Sequence, residues 1–131
     1  MKLEVAREAL EAVVAHAAQA MPEEACGLLL GGGGQILEAR SAANVAPDKV
    51  RHFEIDPAAL IDAHRAERRG GLALLGYYHS HSSGPPEPSA TDRASASGDG
   101  KVWAIVAGGE VRFWRDAETG FEELSYTLVE A

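Results

Sequence analysis

Residues 72–92 constrain this chain more than any other stretch. Leu72 to Tyr78 is apolar and rich in Leu and Tyr, which predicts a buried strand. His79 and His81 stand two apart at its end. Residues i and i+2 of a strand point to the same face, so both imidazoles can reach one ion. A Gly/Pro loop follows, and then Ser89-Ala90-Thr91-Asp92, a sequence that opens a helix. A helix starting there swings a carboxylate back toward the two histidines. Two His and one carboxylate leave the fourth position of a tetrahedral zinc open, and an open position marks a catalytic site rather than a structural one.

Each part of this pattern also has a plainer use. Ser89-x-x-Asp92 is a capping box, with an acid at the third helical position. The two uses are compatible, because an N-terminal turn holds a carboxylate stiffly. Ser89 can likewise cap and donate, since a hydroxyl has one donor and two acceptor sites. Upstream, Pro22-Glu23-Glu24 offers two acids just past a helix end, and either can be a solvated carboxylate. Strand alternation places Glu24 on one face with Cys26 and Leu28, and Glu23 on the other. Cys26 lies in an apolar run with no adjacent base and reads as a buried, inert thiol. Gly31 to Gly34 lacks the Lys-Ser/Thr and the helix start of a phosphate loop. His16 and His64 fall in predicted helices as surface residues, and His52 lacks ligand context.

The stretch around the histidines resembles the metal motif of the JAMM, or MPN-plus, metallopeptidases. That motif is His-x-His, seven residues, Ser, two residues, Asp, and His79, His81, Ser89 and Asp92 match it without a gap. Pro22 to Gly31 resembles the family's upstream segment, with Glu24 in the place of its glutamate. The similarity runs from about the first helix to the strand near Val102, and it is closest to the short stand-alone prokaryotic members. Ser82 departs from the Pro that many relatives carry after the second His. The resemblance implies one zinc per chain, held by His79, His81, Asp92 and water. It implies Glu24 as general base, taking a proton from water and passing it to the leaving amine. It implies Ser89 as a donor to the oxyanion. The implied reaction is hydrolysis of the amide bond after the C-terminal Gly-Gly of a ubiquitin-like or sulfur-carrier protein.

Three rival readings meet obstacles in the sequence. A non-catalytic MPN scaffold that only binds a protein partner has lost metal ligands, whereas this chain keeps every one. A deaminase on the related fold needs Pro-Cys-x-x-Cys, which is absent. A nucleotide hydrolase with His-x-His-x-His would need a third His where Ser83 stands.

The remaining segments predict a mixed sheet. Glu4 to Met21 has helical apolar spacing and is rich in Ala and Glu, and Pro22 ends it. Cys26 to Leu30 and Gln35 to Asn44 form a hairpin. His52 to Ile55 reads as a short strand. Asp56-Pro57 opens a helix, as N-cap and first helical residue, that runs to about Arg69. Ser89 to Ser97 is a short helix, Val102 to Ala107 pairs with Val111 to Trp114, and Phe121 to Val129 is a last strand. Strands interleaved with three helices predict an α/β (α+β) domain, a curved mixed sheet with helices packed on it. The α-β-α, cytidine-deaminase-like JAMM/MPN fold implied by the resemblance agrees.

Bulk properties narrow the context. The 131 residues are one ordinary domain, residues 1–131, able to bury a core without disulfides. A net charge of −8 argues against nucleic acid, whose phosphates need a basic surface. No apolar run approaches the ~20 residues that cross a bilayer, and the N-terminus lacks a signal-peptide core, so a cytoplasmic protein is expected. A single cysteine allows neither an intrachain disulfide nor a Cys-rich zinc knuckle.

Overall fold

The computed structural model describes residues 2–130. In chain order its elements are β1 (Leu3–Ala6), α1 (Arg7–Ala20), β2 (Cys26–Gly32), β3 (Gln35–Ala42), α2 (Pro57–Arg68), β4 (Ala73–Ser80), α3 (Ala90–Ser95), β5 (Val102–Ala107), β6 (Glu110–Ala117), β7 (Gly120–Leu124) and β8 (Tyr126–Val129). All the strands join one mixed sheet in the order β7-β6-β5-β4-β2-β3-β1-β8. Only Ser125 separates β7 from β8 in the chain, yet they stand at opposite ends of that order. The sheet therefore curls until its two ends meet at Ser125, whose carbonyl accepts from Leu3 N at 3.1 Å.

Strand alternation sends alternate side chains to the two faces. Leu29, Tyr78, Val106 and Phe113 pack on one face with Ala9, Val13 and Ala17 of α1. Small residues on that helix let it lie close to the sheet. Cys26, Leu28, Leu30 and Leu74 pack on the other face with Ala63 of α2. Trp103, Ile105 and Trp114 continue that second layer, with Phe53 and Tyr77 against them. Tyr77 and His79 thus lie opposite Tyr78, on the face covered by α2.

β4 is central, antiparallel to β2 and parallel to β5. Gly76 makes the second pairing close enough: a Cβ there would lie 1.8 Å from Val102 O. Among the described residues no helix is long and apolar enough to cross a membrane.

The fold departs from the sequence expectations in a few places. The first helix starts at Arg7 rather than Glu4, because Leu3–Ala6 pairs with Tyr126–Val129 and beside Gln35–Ile36. Leu3 and Val5 satisfy the two-residue period of that strand, which helical spacing had hidden. The expected last strand, Phe121 to Val129, is two strands that break at Ser125 to pair with opposite edges. His52 to Ile55 contributes only an isolated bridge between Ile55 and Asn44.

Candidate metal centre

His79 sits inside β4, paired with Cys26 on one side and Ile105 on the other. It is fully buried. Phe53 stacks on its ring at 4.2 Å between centroids and 15° between planes, and Trp103 meets it edge-on at 5.6 Å. No described residue partners His79 Nδ1, so on that side of the ring aromatic packing takes the place of a hydrogen bond.

His81 lies just past the end of β4, where its backbone N–H donates to Val106 O at 2.8 Å. Its Nδ1 is 3.1 Å from Pro85 O. A carbonyl can only accept, so Nδ1 carries the proton and Nε2 presents its lone pair. The loop supplying that carbonyl is itself tied to β6. Trp114 Nε1 donates to Pro86 O at 3.2 Å, and Arg112 pairs with Glu87 at 3.2 Å.

Asp92 arrives on the first turn of α3. Both halves of the capping box are formed: Asp92 N donates to Ser89 Oγ at 3.0 Å, and Ser89 N donates to Asp92 Oδ2 at 2.9 Å. The cap fixes the carboxylate rotamer and leaves the Ser89 hydroxyl proton uncommitted to the cap.

These elements bring three ligand atoms together. His79 Nε2 and His81 Nε2 are 3.2 Å apart, and Asp92 Oδ2 lies 3.1 and 3.0 Å from them. Ligands about 2.0–2.1 Å from a tetrahedral zinc stand ~3.3 Å from one another. The triangle is therefore close to the size the ion requires, and the His-His-Asp group can hold one. Two of its three charge states already suit a metal. Burial pushes the His79 imidazolium down, so that ring favours its neutral form. Burial opposes ionisation of Asp92, but the adjoining His79 and His81 rings and the Ser89 N–H outweigh it and hold the carboxyl well below its usual range. Burial lowers His81 too, but Asp92 and the Pro85 carbonyl outweigh it and hold that imidazole above its ordinary value, so an ion binding there displaces a proton. Neutral imidazole and ionised carboxylate are the forms that bind metal.

Glu24 precedes β2 and is 8 % exposed. Its backbone N–H donates to Lys49 O at 2.7 Å, which ties it to the loop before α2. Burial, aided by the charges of Asp92 and Asp48 and opposed by His81, pushes its carboxyl up to about 7. Two hollows meet at this residue. One, of about 400 Å³, is lined by Phe53, Tyr77, Trp103 and Asp92. The other, of about 490 Å³, is lined by His81, Ser89, Pro88 and Val50. Glu24, Arg51 and Thr91 line both, so a single cleft runs past the ligand group.

All five candidate residues thus gather in one place. Phe53 and Trp114 carry no local signal of their roles, since an aromatic in a loop or strand reads as core; Phe53 stacks on His79, and Trp114 holds the Pro86 carbonyl of the His81 loop. His16 is not a plain surface residue. It is half-buried, and its Nδ1 lies 2.7 Å from Tyr78 Oη. Cys26 is buried with its thiol pushed up to about 11, chiefly by burial, consistent with an inert group.

Residues 6–117 match the family described as prokaryotic homologs of the JAB domain. A desampylase of Haloferax volcanii is 33% identical over 112 residues, covering 81% of each chain. A probable TtuB-protein conjugate cleaving protease of Thermus thermophilus is 39% identical over 90 residues, which span 69% of this chain and 60% of that protein. The solution structure of a protein from Desulfitobacterium hafniense superposes with a TM-score of 0.85 at 29% identity, covering 98% of this chain and 94% of the other. The His-His-Asp group is one that can hold a metal ion. The chain belongs to the prokaryotic branch of the JAB-domain family.

Proposed function

We propose that the chain is a zinc metallopeptidase that hydrolyses the amide bond after the C-terminal Gly-Gly of a ubiquitin-like or sulfur-carrier protein. The observation that carries this reading is the convergence of His79, His81 and Asp92 beside a buried glutamate in an open cleft. In this reading His79, His81 and Asp92 hold the ion. Zinc there supplies a Lewis acid and brings the pKa of water down toward ~7.

The chain's own residues do the rest. Glu24 takes the proton of the attacking water and delivers it to the departing nitrogen. The water oxygen bonds to the carbonyl carbon, the C–N bond breaks, and an amine and a carboxylic acid leave, the acid losing its proton to solvent. A carboxyl poised near neutrality suits both halves of that transfer. Ser89 Oγ accepts its cap bond from Asp92 N and retains a proton to donate to the oxyanion. Aromatic packing on His79 and the Pro85 carbonyl on His81 keep both rings aimed.

The substrate class rests on the relatives, one named a desampylase and one a probable cleaver of TtuB-protein conjugates. Physical chemistry supports the Gly-Gly preference. An extended tail entering the cleft lined by Glu24, Arg51 and Thr91 is least hindered when its residues are glycines, which have no side chain to clash. The test is a carrier protein fused to a reporter through Gly-Gly, Ala-Ala or Leu-Leu. Cutting at Gly-Gly alone is expected. Equal cutting at all three would mean a general peptidase. No cutting of any fusion by the zinc-loaded protein would leave a binding scaffold as the better account.

A further inference from the structure

The loop between β3 and α2 carries Lys49, which holds the Glu24 N–H, and Phe53, which stacks on His79. One side chain at its base joins these parts. Asn44 Nδ2 donates to Glu24 O and to His52 O, both at 3.0 Å. Asn44 Oδ1 accepts from Ala46 N at 3.0 Å and Glu54 N at 3.1 Å. Two donors and two acceptors are the full capacity of an amide. It can sit only one way, since its oxygen faces two N–H groups and its nitrogen two carbonyls. Both backbone groups of Glu24, N–H and C=O, are therefore held from this one loop, and Asn44 closes the loop on itself with the same amide.

We propose that Asn44 is a positioning residue for Glu24, fixing the general base against the ligand group through the Glu24 carbonyl while pinning the loop that bears Phe53. This role rests on the peptidase reading above. Asn44 touches neither substrate nor ion. It acts because Glu24 precedes β2, where the sheet's own ladder does not yet hold it. A reacting group displaced by about 1 Å can cost ~10²-fold in rate.

Two variants separate positioning from mere support of the fold. Asn44→Ala removes all four bonds. Asn44→Asp keeps an oxygen for Ala46 and Glu54 but turns an acceptor toward the Glu24 and His52 carbonyls. Zinc-loaded enzyme is assayed on the Gly-Gly fusion, and amide hydrogen exchange is measured on the zinc-free protein. The expected result is a kcat at least ~10-fold lower for both variants, with KM within about twofold and one zinc retained per chain. Exchange at the Glu24 amide should quicken at least ~10-fold in both, while the Ala46 and Glu54 amides stay protected in Asn44→Asp alone. An Asn44→Asp enzyme with kcat within twofold of the wild type would overturn the proposal. So would an unchanged Glu24 amide, or a rate loss matched by loss of zinc or of folded protein. A wild-type protein that cuts no Gly-Gly fusion would remove the peptidase reading first, and this role with it.

Discussion

Replacing Glu24 by Gln separates a buried carboxylate from a solvated one, because only the buried one should gain stability on losing its charge. The native carboxyl is pushed up to about 7 from an ordinary 4.5. A raised pKa means that the folded chain holds the proton more tightly than the unfolded chain. The contribution to stability is full below about 4.5 and is lost as pH rises through about 7. A shift of 2.5 units corresponds to ~3.4 kcal/mol at 1.36 kcal/mol per unit. Solvent screening from the hollows that Glu24 borders discounts this to about 2 kcal/mol. Glu24→Gln keeps the shape and carries no charge. In zinc-free protein it should be more stable than the wild type by about 2 kcal/mol at pH 8, and within about 0.5 kcal/mol of it at pH 4.5. Urea unfolding in the presence of a chelator measures both, and groups common to the two proteins cancel. A bound cation favours the ionised carboxyl, so the gain should shrink in zinc-loaded protein. The variant should bind one zinc and hydrolyse nothing. A variant less stable at pH 8, or equally stable at both pH values, would refute the desolvation argument. One with wild-type kcat would refute the general-base role.

Other substitutions probe the supports of the site. Ser89→Ala should cost ~1 kcal/mol in unfolding free energy through its cap and lower kcat by ~10²-fold or more. Ser89→Asp, which caps but cannot donate when ionised, should be stable and equally slow; a fast Ser89→Asp enzyme would leave only the cap. Trp114→Phe removes the N–H that anchors Pro86, and zinc affinity measured by chelator competition should fall about 10-fold as the His81 loop loosens. Gly76→Ala places a Cβ 1.8 Å from Val102 O and should cost at least ~3 kcal/mol in denaturant unfolding, by forcing β4 and β5 apart.

Much of the candidate site lies within one continuous segment, which is why it is legible in the sequence. His79, His81, Ser89 and Asp92 span a strand end, a loop and a helix cap, three local structures with local signatures. Glu24 is different. Nothing in Pro22-Glu23-Glu24 distinguishes the two acids except strand alternation and the family's register, and the structure buries Glu24 while leaving Glu23 exposed. Asn44 and Phe53 were invisible because their partners lie far away in sequence. Asn44 reaches back 20 residues to Glu24 O, and Phe53 meets His79 from the loop before α2. The same holds for β1 and β8, whose pairing joins the two ends of the chain. A helical period could be read across Glu4 and Val5 because no window of sequence contains Tyr126 to Val129.

The most direct test of the account is zinc K-edge X-ray absorption on the purified protein, with metal content measured on the same sample. One zinc per chain with only nitrogen and oxygen neighbours at about 2.0–2.1 Å, two of them imidazoles, is the predicted result, and it should vanish in the His79→Ala and Asp92→Ala variants. A chain that takes up no zinc on reconstitution, a sulfur neighbour near 2.3 Å that implicates Cys26, or a spectrum unchanged in those variants would contradict it.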